Sequence, residues 1–129
     1  MKPVAEQVKS LSRIAIDTGG TFTDAVGVLP DGSTRRAKVL SSAALRGRVD
    51  QQHAPTELSI SLPQIDLMPG LLVGFGLRRP GGEDLARIDE HPEATRILLD
   101  AEVTLESGDS IELAAPFDAP RLAIHLILG

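Results

Sequence analysis

The sequence predicts a mainly β protein (α+β class). An antiparallel β-meander comes first, then a small β-barrel or sandwich-like module, then a short C-terminal helix. Three observations predict it. The apolar runs are short and are separated by Gly, Pro, Asp and Ser, the pattern of strands joined by turns. Leu58, Ile60 and Leu62 alternate with Ser59 and Ser61, which is the period of a half-buried strand. Only the end of the chain, after Asp118 and Pro120, carries a helix-start signal ahead of an apolar run.

The elements follow in order. Residues 1–12 read as an N-terminal extension that mixes Lys, Glu and Gln with isolated apolar residues. Arg13-Ile14-Ala15-Ile16-Asp17 reads as a buried strand ending in a carboxylate. Thr18 to Thr23 reads as a tight turn and Ala25 to Leu29 as a second strand. Pro30-Asp31-Gly32-Ser33 is a turn, because Pro presets φ and Gly accepts positive φ. Thr34 to Leu40 is the return strand.

Ala43 to Arg46 has a helix-like composition that Gly47 interrupts, and Gln51 to Pro55 reads as a polar connection. The boundary falls in this stretch, giving residues 13–45 and residues 46–129 as the two segments. In the second, Leu71 to Leu77, Leu85 to Asp89, Arg96 to Leu99 and Ile111 to Leu113 read as strands. His91-Pro92-Glu93 and Ser107-Gly108-Asp109 read as turns. Asp118 is the expected N-cap of the final helix, with Leu122, Ile124, Leu126, Ile127 and Leu128 as its apolar residues.

Composition removes several functions. Three Phe and no Trp or Tyr in 129 residues leave an aliphatic core and few platforms for stacking bases. A net charge of −5 gives no overall attraction to nucleic acid or anionic lipid. The absence of Cys removes thiolate metal sites, cysteine nucleophiles and disulfides. No apolar run approaches the ~20 residues of a spanning helix, and the N-terminus lacks the apolar stretch of a secretory signal. The expected location is the cytoplasm, with no nucleic-acid or membrane partner. His53, His91 and His125 lack ligand spacing; His53 and His91 read as loop residues. The Arg46-Gly47-Arg48 and Arg78-Arg79 pairs read as solvated faces.

One constellation carries chemistry: Asp17-Thr18-Gly19-Gly20-Thr21-Phe22-Thr23-Asp24. A glycine pair lets backbone approach a ligand closely. Successive amides in such a turn make an anion-binding concavity. Thr21 and Thr23 add hydroxyl donors, and Asp17 suits a hydrated Mg²⁺ beside phosphate oxygens. The dinucleotide glycine spacing and the Gly-Lys-Ser/Thr signature are both absent. Residue types alone leave open a plain glycine-rich hairpin whose Thr and Asp serve only turn hydrogen bonds.

Ile14 to Asp24, with Asp31-Gly32 and Ala37-Lys38-Val39-Leu40-Ser41-Ser42 beyond it, resembles the N-terminal signature of the hydantoinase/oxoprolinase family. The resemblance implies an actin-like ATPase (ribonuclease H-like) lobe, here partial, whose first hairpin cradles ATP phosphates. It implies ATP and Mg²⁺ as cofactors in the intact enzyme and a small cyclic amide as substrate. The lactam oxygen would be phosphorylated and the activated ring then hydrolysed. By position it makes Asp17 the carboxylate near the metal. Gly19, Gly20 and Thr21 become phosphate contacts, and Thr18 and Thr23 supporting residues. Asp24 is read as bracing the turn and Lys38 as a solvated strand lysine. No second phosphate loop or adenosine pocket is visible, so the expected partner is the remainder of the enzyme or a separate subunit. The chain alone is expected to be inactive, with weak or no nucleotide binding. Two other readings stand beside this one: a fragment of an actin-fold sugar or acetate-type kinase, and a non-enzymatic β-rich binding or assembly module.

Overall fold

The computed structural model describes residues 12–62 and 67–128. Apart from Ser12, the expected N-terminal extension lies outside the described residues. Among the described residues there are nine strands and one helix, in two compact units: one holds those up to Ala43 together with those from Phe117 on, and the other those between Ala44 and Pro116. No helix among the described residues is long and apolar enough to cross a membrane.

The first unit is the expected meander. β1 (Arg13–Thr18) pairs antiparallel with β2 (Phe22–Val28), and β2 with β3 (Thr34–Leu40). Gly32, at φ 86°, supplies the left-handed residue of the β2–β3 turn. Asp31 fixes the same turn, because the Ser33 hydroxyl and the Ser33 amide both donate to its carboxylate. Those two bonds, the hydroxyl's first, hold the Asp31 pKa below its ordinary value. Folded-state stabilisation by Asp31 is therefore present above the ordinary carboxylate range and lost as pH falls through the lowered pKa. Ser33→Ala is expected to move the Asp31 titration back up toward that range. Carboxyl-carbon NMR across acid pH reads it, and an unmoved titration would show that the hydroxyl does not bond there in solution.

Alternation along β2 and β3 decides which face is covered. Thr23, Ala25 and Gly27 of β2 are buried, as are Ala37 and Val39 of β3. The helix α1 (Ala119–Leu128) packs on these two strands, burying Ala119, Leu122, Ala123, Leu126 and Ile127. The small residues at Ala25, Gly27 and Ala37 leave room for a helix backbone to come close. Each large aliphatic side chain so covered is worth roughly 1.5–3 kcal/mol. Asp118 caps α1 as expected, accepting the Arg121 amide at 3.0 Å. The Phe117 ring meets the His125 imidazole edge-on at 5.3 Å. The sequence reading counted this helix with the β-rich module; it belongs instead to the meander, whose small-residue face matches its apolar stripe.

The second unit is a ring of six strands. They are β4 (Ala44–Ala54), β5 (Glu57–Ser61), β6 (Gly76–Arg78), β7 (Asp84–Glu93), β8 (Arg96–Leu99) and β9 (Ser110–Ala114). Pairing runs β4–β5–β8–β7–β6–β9 and closes with β9 on β4, antiparallel throughout. The ring is a small barrel, one of the two expected forms. Its core is aliphatic, with Leu45, Val49, Leu58, Ile60, Leu77, Ile88, Ile97, Ile111 and Leu113 buried around a lone Phe75. The chain enters on β4 and leaves on β9, where Ala44 and Ala114 are register partners.

Further local expectations differ. β1, expected to be a buried strand, is exposed at every residue but Ile14, because it pairs on one side only, with β2. Ala43–Pro55 was expected to hold a helix start and a polar connection, yet Ala44–Ala54 is one long strand. Pairing on both sides, to β5 and β9, overrides weak helix propensity there. Leu71 to Leu77 was expected to be a strand, but only Gly76–Arg78 is. Gly70 and Gly74, at φ 87° and 89°, fold the preceding residues into successive turns. Leu71, Leu72 and Phe75 still reach the core.

His91-Pro92-Glu93 was expected to be a turn and lies inside β7. A register shift between Glu90 and Glu93 absorbs Pro92, which has no amide to pair. His91 is not a loop residue. It is 4% exposed, its Nδ1 accepts the Leu72 amide at 3.2 Å, and its Nε2 donates to the Ala94 carbonyl at 3.0 Å. Glu112 is also buried; its carboxylate accepts the Gly81 amide at 2.8 Å from the turn after β6.

Candidate functional site

The β1–β2 hairpin brings the charged residues of the motif into one row. Paired positions on β1 and β2 put Asp17 opposite Asp24, and the β2–β3 register puts Lys38 opposite Asp24. Directly opposed residues share a face, so Asp17, Asp24 and Lys38 line up across three strands on the face opposite Thr23 and Ala25. All three are exposed. The Lys38 ammonium sits 4.7 Å from the centre of the Phe22 ring, so its head lies over the end of β2 that borders the turn. No ion pair to either aspartate is formed among the described residues. Asp24 thus stands between a like charge on β1 and Lys38 on β3, and the direct apposition of the two carboxylates costs stability in a bare sheet.

The turn itself is held from one side. The Gly19 amide donates to the Phe22 carbonyl at 2.9 Å, closing a loop of Gly20 and Thr21. Two of the loop's other carbonyls, those of Gly19 and Thr21, are engaged by Ser41, just past β3. The Ser41 hydroxyl donates to the Gly19 carbonyl at 2.8 Å, and the Ser41 amide donates to the Thr21 carbonyl at 2.9 Å. The Gly20 and Thr21 amides have no acceptor among the described residues, and both residues are exposed. Carbonyls are thus drawn to Ser41 while two adjacent amides stay available, the polarity an anion needs.

The two glycines differ in what requires them. A Cβ at Gly19 would press on the Phe22 carbonyl at 3.1 Å. A Cβ at Gly20 would meet nothing within 4 Å, and Gly20 is not among the positive-φ glycines.

Of the residues singled out from sequence, Asp17, Gly19, Gly20 and Thr21 are brought together at the exposed end of the hairpin. Thr18 and Thr23 are register partners on the other face. Thr23 is fully buried and its hydroxyl lies 3.0 Å from the Ser41 hydroxyl. It supports the turn from beneath and has no hydroxyl to offer an anion. Strand alternation explains this, since Asp24 and Thr23 must point to opposite faces.

Sequence reasoning missed Ser41 and read Asp24 only as a brace. Both were reachable. Once the loop is centred on Gly20-Thr21, antiparallel pairing sets Asp24 opposite Asp17. Once the second turn is centred on Asp31, the β3 register sets Leu40 opposite Phe22 and Ser41 beside Thr21. The described residues contain no group of three or more His, Cys, Asp or Glu side chains placed to hold a metal ion. Any cation here would rest on two carboxylates with its other ligands from phosphate and water.

Comparison with known proteins agrees with the motif. Residues 13–59 match the family described as the hydantoinase/oxoprolinase N-terminal region. The match takes in the whole meander, β4 and part of β5. No curated protein and no solved structure gives a significant match to the chain. From Arg13 to Ser59, about a third of the chain, the sequence is therefore similar to the hydantoinase/oxoprolinase N-terminal region.

Proposed function

We propose that the hairpin from Asp17 to Asp24 grips the phosphate chain of magnesium-bound ATP, as one part of an ATP-dependent hydrolase of small cyclic amides. The observation that carries this reading is the one-sided turn. Ser41 occupies the Gly19 and Thr21 carbonyls, and the Gly20 and Thr21 amides are left without an internal acceptor among the described residues. Gly20 supports it independently: neither its φ nor its own neighbours require a glycine, whereas close approach of an external group does.

Asp17 and Asp24 fit a hydrated magnesium ion, which takes one or two carboxylates, phosphate oxygens and several waters. When bound, the ion would neutralise charge on the phosphate oxygens. The chain's own residues orient the phosphates through two amides and hold the cation through two carboxylates, with Lys38 the nearest positive group in the row. Phosphoryl transfer needs positioning and charge neutralisation from several directions. The opposing surface, the adenosine pocket and the amide site would come from the remainder of the enzyme or a separate subunit.

The test is a titration of the isotopically labelled chain with magnesium and inorganic triphosphate or ATP, followed by amide NMR. Weak binding of about millimolar strength, near −4 kcal/mol, is expected. Shifts should be confined to residues 17–24 and Ser41 and should require magnesium. Absence of shifts at tens of millimolar triphosphate, or shifts scattered over the arginine-bearing strands, would overturn the proposal.

A further inference from the structure

We infer that Ser41 is the positioning residue of this hairpin, an inference that rests on the phosphate-binding reading above. A free glycine-rich loop presents carbonyls as readily as amides to an incoming anion, and carbonyls repel it. Ser41 reduces that ambiguity with two donors from one residue. Its hydroxyl takes the Gly19 carbonyl and its amide takes the Thr21 carbonyl, at 2.8 and 2.9 Å. The amide of Gly19 is used to close the loop. Among the described residues the amides of Gly20 and Thr21 remain without an internal acceptor, and of the three loop carbonyls only that of Gly20 remains without a donor.

The hydroxyl of Ser41 is itself fixed from below. It spends its one proton on the Gly19 carbonyl, so at 3.0 Å it accepts the proton of the Thr23 hydroxyl. The donors run in one direction, from the buried Thr23 through Ser41 to Gly19, and such chains reinforce each bond in them. Thr23 is fully buried, so its hydroxyl needs this partner. The sequence therefore couples a core threonine to the outward polarity of the turn. The Ser41 amide bond survives any side-chain change, so a variant at Ser41 loosens the Gly19 side of the loop and leaves the Thr21 side held.

A merely structural role and a positioning role are separated by two variants. Ser41→Ala removes the hydroxyl and strands the Thr23 hydroxyl in the core. Combining Ser41→Ala with Thr23→Val removes the stranded group as well, because replacing both partners of a buried hydrogen bond by apolar groups is nearly neutral. The double variant is expected to recover most of the melting temperature lost by Ser41→Ala. It should still bind magnesium triphosphate about tenfold more weakly than the unaltered chain, since lost preorganisation lowers affinity without unfolding. Its Gly19 and Gly20 amide order parameters should fall from about 0.85 to below about 0.6. Ser41→Thr, which keeps a hydroxyl on the same carbon, should bind like the unaltered chain.

A double variant that binds triphosphate as tightly as the unaltered chain overturns the inference and leaves the phosphate reading standing. If the unaltered chain shows no response to triphosphate, the phosphate reading falls and the order parameters alone decide. Unchanged order at Gly19 and Gly20 in the double variant then overturns the role of Ser41, and lowered order upholds it.

Discussion

Asp17→Asn is expected to stabilise the β1–β2 hairpin and to disable it. Asp17 and Asp24 are direct register partners, Lys38 stands opposite Asp24 on the other side, and neither carboxylate forms an ion pair among the described residues. Like charges so placed oppose pairing by up to about 1 kcal/mol, less at high salt because both are exposed. Neutralising one relieves that, and slower amide exchange along β1 and β2 measures the gain. The same change removes half of the carboxylate pair that fits magnesium. Under the proposed function, triphosphate binding to the chain should lose its magnesium dependence, and ATP turnover of an enzyme carrying this hairpin should fall by roughly 10²- to 10³-fold, the scale of losing one electrostatic partner in a preorganised site. Opposite signs for stability and function are what a binding site predicts and an ordinary turn does not. Faster exchange in Asp17→Asn, or an unaltered magnesium dependence, would remove the cation from the account.

The hairpin was legible from sequence because each of its determinants is local. Pro30, Asp31 and Gly32 place one turn and Gly19-Gly20 the other, and antiparallel registry then follows by counting. What escaped was set by partners distant along the chain. β4 reads as a doubtful helix start because Ala43 to Arg46 has no strand signature of its own; it becomes a strand by pairing with β5 and β9, up to some seventy residues away. His91 looks like a turn residue beside Pro92, and only the approach of Leu72 gives its ring a buried partner. Ser41 belongs to the same class at shorter range. Nothing in Leu40-Ser41-Ser42 marks a site until Ser41 is laid beside Gly19. The helix α1 was legible as a helix, through Asp118 and Pro120, but not as a partner of the meander. The buried face of β2 and β3 that it packs on is mostly small, with Ala25, Gly27 and Ala37 beside Val39, and residues so small do not advertise a core.

Leu113→Ala is expected to give the largest loss of stability in the barrel. Leu113 is fully buried and stands between Leu45 of β4 and Leu77 of β6 in the register of both pairings. β9 is the strand through which the ring closes, and β6, its other neighbour, is only three residues long. Removing three carbons there costs the transfer energy of the side chain and leaves a cavity, together about 3–5 kcal/mol. At roughly 0.05–0.15 kcal/mol per residue, the unit from Ala44 to Pro116 has about 4–11 kcal/mol in total. The substitution should therefore consume a large share of it.

Leu85→Ala, at a side chain already 42% exposed, should cost far less and serves as the control. The distinguishing measurement is native-state amide exchange. A closed ring has no free edge, so opening the β9 seam exposes unpaired backbone on β4 and on β6 together. Protection on both strands should fall in step with that on β9. Loss confined to β9, with β4 and β6 still protected, would show that the six strands do not stabilise one another as a ring.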